Sequence, residues 1–244
     1  MTAQLQLFES REASSFWTVR VSRRARRLSV RVYPGGRVEV VVPPGASAAM
    51  VQRFVGAHRD WIDRRVNDLS TCSTVATDTH PTRIELPAIG RNYSVCYAES
   101  RRASAHVAAA ADELRVFCRP GDVRGSAIAL RNWLFDLAEF ELARELARTA
   151  AIGRFEYRRL QVRCQRTRWG SCSVSGTISL NVCVLFQPAD VMRYLLVHEL
   201  SHTRQMNHSR RFWALVESLE PDYRRLDREL SRGWQRVPGW MFDQ

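Results

Sequence analysis

The sequence lacks lysine altogether: all 37 of its basic residues are arginine. No apolar run approaches the roughly 18 residues that a membrane-spanning helix needs, so we expect no membrane segment. The first residues lack the basic start and apolar core of a signal peptide, and we therefore expect a cytoplasmic protein. The six cysteines form no Cys-x-x-Cys pair, which argues against a disulfide framework and against a zinc finger.

Arginine is in clear excess over acid. The 37 basic residues face 25 acidic ones, which gives a formal net charge of +12. One interpretation is codon bias in a GC-rich genome. The other is a surface for nucleic acid or another polyanion, since arginine binds phosphate through two parallel hydrogen bonds. Composition alone leaves both interpretations open.

The pattern of apolar residues indicates an α+β protein with three regions. Residues 1–75 are expected to form a β-hairpin and a helix, residues 76–120 a β-rich segment, and residues 121–244 a third region, which carries the candidate metal-binding motif described below. Hydrophobic residues make up 45% of the chain and charged residues 25%, as in ordinary globular proteins. We expect the three regions to form one integrated unit.

The N-terminal region alternates apolar and polar residues. Residues 16–44 alternate strongly and predict a hairpin with one buried face, turned at 34–36. Ser47 is placed to cap a helix that continues through Ile62. Residues 70–82 are polar and predict a loop.

The remainder of the chain predicts a β-rich stretch and then helices separated by short strands. Residues 83–119 show short strand patterns, whereas 121–151 have helical periodicity. Gly153 is expected to end that long helix as a left-handed residue. Strands are expected at 160–164 and 177–181, and further helices from Pro188 through His202 and from Ser209 to Pro221.

Residues 198–202 read His-Glu-Leu-Ser-His. On a helix, residues i and i+4 share one face, so His198 and His202 can bind one metal ion. Glu199 points about 100° away, which suits a base for a water molecule better than a third ligand. The motif therefore predicts a zinc hydrolase in which two histidines hold Zn²⁺ and Glu199 accepts a proton.

A third ligand is expected shortly after this motif. His208 lies at the spacing that metzincin proteases use, although Gln205 replaces their helix-ending glycine. Asn207 is the residue between the histidines that best tolerates a left-handed turn. The alternative third ligand is an acid of the next helix, Glu217 or Glu220.

Four motifs in this order resemble the YgjP-like zinc metallopeptidase-type hydrolases. They are Trp-Gly-Ser-Cys-Ser at 169–173, Gly-x-Ile-x-Leu-Asn at 176–181, the 198–202 motif, and Asn-His-Ser-x-x-Phe-Trp at 207–213. The resemblance covers nearly the whole chain. It implies a zincin-like core, in which a twisted sheet packs on the metal-binding helix, with an N-terminal β-rich extension.

The substrate remains open between two chemistries and a non-enzymatic role. The family name implies peptide hydrolysis, whereas a link to UTP implies hydrolysis of a nucleoside triphosphate. A metal-activated water serves either reaction. A third hypothesis is a nucleic-acid-associated protein with a structural metal site, although such a site has no use for Glu199. The oligomeric state is not predicted.

Candidate substrate-binding residues lie in the first two motifs and directly before them. Arg168 precedes the Trp-Gly-Ser segment, and we expect it near the cleft if the strand 178–180 flanks the metal helix as an edge strand. Cys172 is a weak alternative fourth ligand, because a thiolate there would close the site to water. The candidate substrate-binding residues are Arg168, Trp169, Ser171 and Asn181.

Overall fold

A computed structural model describes residues 17–33, 37–70 and 80–242. The turn predicted at 34–36 and residues 71–79 of the predicted loop lie outside these ranges. The strands are β1 (Trp17–Val21), β2 (Ser29–Val32), β3 (Val38–Val42), β4 (Arg83–Leu86), β5 (Arg91–Glu99), β6 (His106–Ala110), β7 (Glu113–Cys118), β8 (Arg159–Arg163), β9 (Gly170–Cys172) and β10 (Thr177–Asn181). The helices are α1 (Ala48–Ala57), α2 (Arg59–Ser70), α3 (Val123–Gly153), α4 (Ala189–Ser201), α5 (Arg210–Leu219) and α6 (Tyr223–Arg232).

The first sheet contains the predicted hairpin and one additional strand. β2 and β3 are antiparallel, with Val30 opposite Val40. β1 runs parallel to β3 on its other side, although Val19 and Val21 of β1 are exposed. Because these two valines are exposed, the alternation of apolar residues did not indicate that β1 is a strand distinct from the hairpin.

The helix expected after Ser47 is in fact two helices. The Ser47 hydroxyl accepts a hydrogen bond from the N–H of Met50 at 3.3 Å, as predicted for an N-cap. However, α1 ends at Ala57, and the N–H of His58 bonds back to the carbonyl of Val55. Gly56 lowers the helix propensity just before this break.

The second sheet supports the long helix α3. Its strand order is β4-β5-β7-β6, with β5 and β7 parallel. α3 contacts β6 and β7 of this sheet and also β8 and α4. Its buried stripe consists of leucines spaced at helical intervals, as predicted, namely Leu130, Leu134, Leu142 and Leu146, each 0% exposed.

The end of α3 differs from the expectation. Gly153 is the last residue of the helix, and the left-handed residue is Arg154, with φ of 52°. A Cβ on Gly153 would lie 2.3 Å from the Phe155 ring. Glycine is therefore needed at 153 for close packing of Phe155 and not for its own backbone conformation.

The third sheet corrects the position of the strand at 178–180. Its order is β8-β10-β9, so β10 is the central strand and not an edge strand. β9 was not predicted; it pairs antiparallel with β10, with Gly170 opposite Leu180. β9 is the strand of this sheet that contacts α4.

The C-terminal helices close over α4. α5 begins after Ser209, whose hydroxyl accepts from the N–H of Phe212 at 3.4 Å as predicted, and it ends before Pro221. α6 was not predicted, yet it packs on α4. One apolar cluster joins all three sheets, from Val32 to Met241. Among the described residues, no helix is long and apolar enough to cross a membrane.

Candidate active site

The His-Glu-Leu-Ser-His motif occupies the C-terminal end of α4, a helix that is covered on nearly every side. Residues 191–201 are buried or half-buried apart from Arg193. Arg193 turns outward and pairs with Glu220 at 2.8 Å. Because apolar side chains surround the rest of the helix, His198 and Glu199 mark the side of α4 that opens to a cleft.

The chain leaves α4 at His202 and turns back to bring His208 near the helix. The N–H of Gln205 donates to the carbonyl of Ser201 at 3.0 Å. The Nδ1 atom of His202 lies 3.0 Å from the carbonyl oxygen of Gln205. Asn207 is not among the positive-φ residues of the described chain, so it does not adopt the expected left-handed conformation. The hydrogen bonds between Gln205 and residues 201 and 202 stabilise the turn instead.

Three histidine side chains converge in front of α4. His198, His202 and His208 each offer a ring nitrogen, and these atoms lie within 4.8 Å of one another. The Nε2 atoms of His198 and His208 are 3.1 Å apart. In a tetrahedral zinc site with Zn–N bonds of ~2.0–2.1 Å, two ligand nitrogens lie about 3.3 Å apart. The donor set therefore fits a zinc ion, and the His198–His208 pair lies close to the spacing that zinc requires.

The other residues considered as ligands lie outside this cluster. Glu217 is exposed on α5, and Glu220 is held by Arg193. Cys172 lies on β9, where burial raises the pKa of its thiol. The metal-binding cluster of the described residues contains none of these three side chains.

Burial favours the neutral form of two of the histidines, His198 and His202. Burial lowers the pKa of His198 to about 3, and the neighbouring rings of His202 and His208 contribute to this. Burial likewise lowers the pKa of His202. A neutral imidazole has the free lone pair that a metal ligand requires. The neutral rings therefore have lone pairs with which to bind a cation.

Sequence reasoning missed two residues that are linked to His198, Tyr194 directly and Asp227 through Tyr194. The Tyr194 hydroxyl lies 3.3 Å from Nδ1 of His198 and donates to Oδ1 of Asp227 at 2.8 Å. Burial, and next the hydrogen bond to Asp227, raise the pKa of Tyr194. The sequence could have indicated Tyr194, because it lies one helical turn before His198. It gave no indication of Asp227, which lies on the unpredicted α6.

Glu199 is buried beside β9. It is 5% exposed, and this burial raises the pKa of its carboxyl to about 8, although the positive charge of Arg168 acts in the opposite direction. A Cβ on Gly170 would lie 2.6 Å from Oε1 of Glu199. Only glycine lets the β9 backbone approach the carboxyl so closely.

A cleft of ≈ 230 Å³ runs along His198 and Glu199. Its lining includes Arg168, Trp169 and Gly170 at the start of β9, Tyr194 of α4 and Asp227 of α6. Arg168 thus lies in the cleft wall, as expected, although β9 and not the strand at 178–180 brings it there. The cleft carries charges of both signs.

The outer edge of β9 offers backbone hydrogen-bonding groups. The carbonyl of Trp169 accepts from the N–H of Asn181, and the N–H of Ser173 donates to Thr177. In an antiparallel ladder, every second residue bonds to the partner strand. Trp169 and Ser173 belong to the bonded set, so the backbone N–H and carbonyl of Gly170 face away from β10. An extended chain can pair with this edge.

The remaining candidate substrate-binding residues have different surroundings. Trp169 is 8% exposed and stacks on Trp234 with ring centroids 4.1 Å apart, so it is both cleft wall and core. Ser171 is half-buried in β9. Asn181 is 1% exposed, and its amide donates to the carbonyl of Arg168 at 2.7 Å. Asn181 therefore holds the segment that carries Arg168.

The arginines between 154 and 168 do not form one surface over the cleft. Arg166 donates to the carbonyl of Phe242 at 2.6 Å. Arg163 donates to the side chain of Gln161 at 2.6 Å. Of the six arginines in this stretch, Arg168 is the one that lines the cleft.

His198 and His202 of the His-Glu-x-x-His motif meet His208, and a sheet edge lies beside Glu199. This arrangement defines a metal-dependent hydrolase with a zincin-like α+β core. The model of the family described as YgjP-like, metallopeptidase domain, matches residues 26–233. The chain belongs to this family, as its motifs indicated.

One solved structure similar to part of the chain is the crystal structure of the metallopeptidase zymogen of Pyrococcus abyssi abylysin. The two are 28% identical, with a TM-score of 0.33. The match covers 35% of this chain and 89% of that one. No curated protein matches the chain.

The contact between Gly170 and Glu199 predicts the effect of Gly170→Ala. The added methyl group would displace the carboxyl, and a misplacement of about 1 Å can cost ~10²-fold in rate. We expect hydrolysis to fall about that much while metal content stays unchanged. Val174→Ala, at a position 89% exposed after the same strand, is the control. Wild-type activity in Gly170→Ala would contradict the close approach.

Proposed function

We infer that the protein is a zinc-dependent peptidase that binds an extended peptide along β9. The observation that carries this proposal is the edge of β9 at Gly170, which no described strand pairs with, beside the buried carboxyl of Glu199. Strand addition to a sheet edge recognises backbone and tolerates varied side chains. It also places one peptide bond of the substrate next to Glu199.

His198, His202 and His208 are the proposed ligands. Three imidazole nitrogens favour zinc over the harder cations, which prefer oxygen. Zinc held there would act as a Lewis acid on the peptide carbonyl and on water. The side chains themselves need no proton release to bind it, since burial already keeps His198 neutral.

Glu199 is the proposed general base and acid. Its carboxylate would accept a proton from the attacking water at Oε1 and later donate it to the leaving amine. Burial raises the pKa of this carboxyl, which makes its carboxylate a stronger base toward water.

A nucleoside triphosphate is the second candidate substrate, and Arg168 is the observation in its favour. Its guanidinium lines the cleft near enough to influence the pKa of Glu199, and phosphoryl transfer needs such a cation. Asp227, which also lines the cleft, would repel phosphate. This acid is one reason why we favour a peptide.

A nucleic-acid-binding protein with a structural metal site is the third candidate. The +12 net charge supports binding of a polyanion. However, a structural site is closed by a fourth protein ligand, and the cluster of the described residues offers three. The buried Glu199 would also have no role there. We therefore regard any polyanion binding as additional to hydrolysis.

The substrate classes are separated by assaying purified protein on casein, UTP and single-stranded DNA, with and without a chelator. We expect cleavage of casein that the chelator abolishes and zinc restores. UTP hydrolysis without casein cleavage would replace the peptidase proposal by the second candidate. DNA binding that survives the chelator, with no hydrolysis, would favour the third.

Arg168→Ala distinguishes peptide from phosphate chemistry within the same cleft. If the substrate is a nucleotide, loss of this cation should reduce hydrolysis at least ~10²-fold. A peptide held by the β9 backbone should be affected much less, and we expect this smaller change in casein cleavage. Arg163→Ala, outside the cleft, is the matched control. A ~10²-fold loss on casein would contradict the backbone-binding proposal.

His208→Ala tests the third ligand. We expect metal affinity to fall by orders of magnitude, measured by competition with a chromogenic chelator, because a three-nitrogen site becomes a two-nitrogen site. Glu217→Ala should bind metal like the wild type. Glu220→Ala should lower stability, since it leaves Arg193 unpaired, but not metal content. Loss of metal in either glutamate variant, with metal retained in His208→Ala, would overturn the assignment.

A further inference from the structure

Behind the cluster, a chain of two hydrogen bonds joins His198 to Tyr194 and Asp227. We propose that Tyr194 and Asp227 are positioning residues that hold His198 in the one neutral tautomer able to bind the metal. This inference rests on the proposed metal site. It assigns a role to α6, a helix that carries none of the proposed ligands.

The donors and acceptors leave one consistent arrangement. The carboxylate of Asp227 can only accept, so the single hydroxyl hydrogen of Tyr194 points to Asp227 across 2.8 Å. The Tyr194 oxygen is then an acceptor toward His198, 3.3 Å away. The Nδ1 atom of His198 must therefore carry the hydrogen. Its Nε2 atom is left with a lone pair facing His208.

His202 reaches the same tautomer through the backbone. Its Nδ1 atom lies 3.0 Å from the carbonyl of Gln205, and a carbonyl can only accept, so Nδ1 again carries the hydrogen. A tyrosine hydroxyl, unlike a carbonyl, can either donate or accept. At His198, Asp227 is therefore needed to set the direction of the Tyr194 hydrogen bond. His202 needs no such residue, because its partner is a carbonyl.

Burial makes the arrangement rigid. Tyr194 is 0% exposed, and its ring meets the His198 ring edge-on with centroids 5.8 Å apart. The hydroxyl therefore has no competing water on most sides and cannot rotate away without losing a partner. Partners of metal-bound histidines typically affect metal affinity 10–100-fold.

Asp227→Asn tests the proposal with little change in shape. The new amide N–H can donate to the Tyr194 oxygen, which sends the hydroxyl hydrogen toward Nδ1 of His198 and favours protonation of Nε2. In metal-free protein, ¹⁵N NMR of the imidazoles should show His198 protonated at Nδ1 in wild type and at Nε2 in the variant. The Kd for zinc should rise ~10–100-fold.

Two further variants separate tautomer control from loss of charge. Glu229→Gln removes one negative charge from the same helix, where Glu229 pairs with Arg225 and Arg236, and its zinc Kd should stay within about twofold of wild type. Tyr194→Phe changes no charge but should also weaken zinc. In the Tyr194→Phe background, Asp227→Asn should then have little further effect, because the two residues act as one unit.

The outcomes identify which inference fails. Unchanged His198 ¹⁵N shifts in both Asp227→Asn and Tyr194→Phe, or equal zinc losses in Asp227→Asn and Glu229→Gln, would overturn tautomer control. Additive effects of the two substitutions would overturn it as well. Wild-type protein that binds no zinc would instead overturn the proposed metal site, while the ¹⁵N result on metal-free protein would still decide the direction of the hydrogen bonds.

Discussion

The burial of polar side chains on α4 is the constraint on which the rest of the structure depends. Glu199 is 5% exposed and His202 8%, in a helix otherwise surrounded by apolar residues. Burying a charge without a partner is costly, so such groups become neutral or find hydrogen bonds. The lowered pKa values of His198 and His202 and the raised pKa of Glu199 are consequences of this burial, and Tyr194 supplies a hydrogen-bond partner to His198.

The same constraint explains why three distant segments meet at α4. β9 reaches Glu199 only because Gly170 has no side chain. The loop after α4 returns His208 to the helix, and α6 supplies Asp227 from the opposite side. Asn181 links the sheet to the Arg168 segment through its amide. Each element therefore contributes a specific contact to one side of a single helix.

The chemistry-bearing residues were easier to predict from the sequence than their surroundings. His198, Glu199, His202 and His208 follow from spacing, since a helix fixes the relation of i and i+4. The three-residue β9 was missed because it is too short for a periodic pattern. α6 was missed because its apolar residues, Leu226 and Leu230, are few among charges. The left-handed Arg154 was unforeseen because tertiary packing of Phe155, not local preference, decides the helix end.

The central claim is that Glu199 moves a proton and does not bind the metal. The most direct test is the zinc content of purified wild type and Glu199→Gln, measured beside casein hydrolysis by the same samples. The account predicts one zinc ion per chain in both proteins and loss of hydrolysis in the variant alone. A variant without zinc beside loaded wild type would make Glu199 a ligand, and a variant with full activity would remove it from proton transfer.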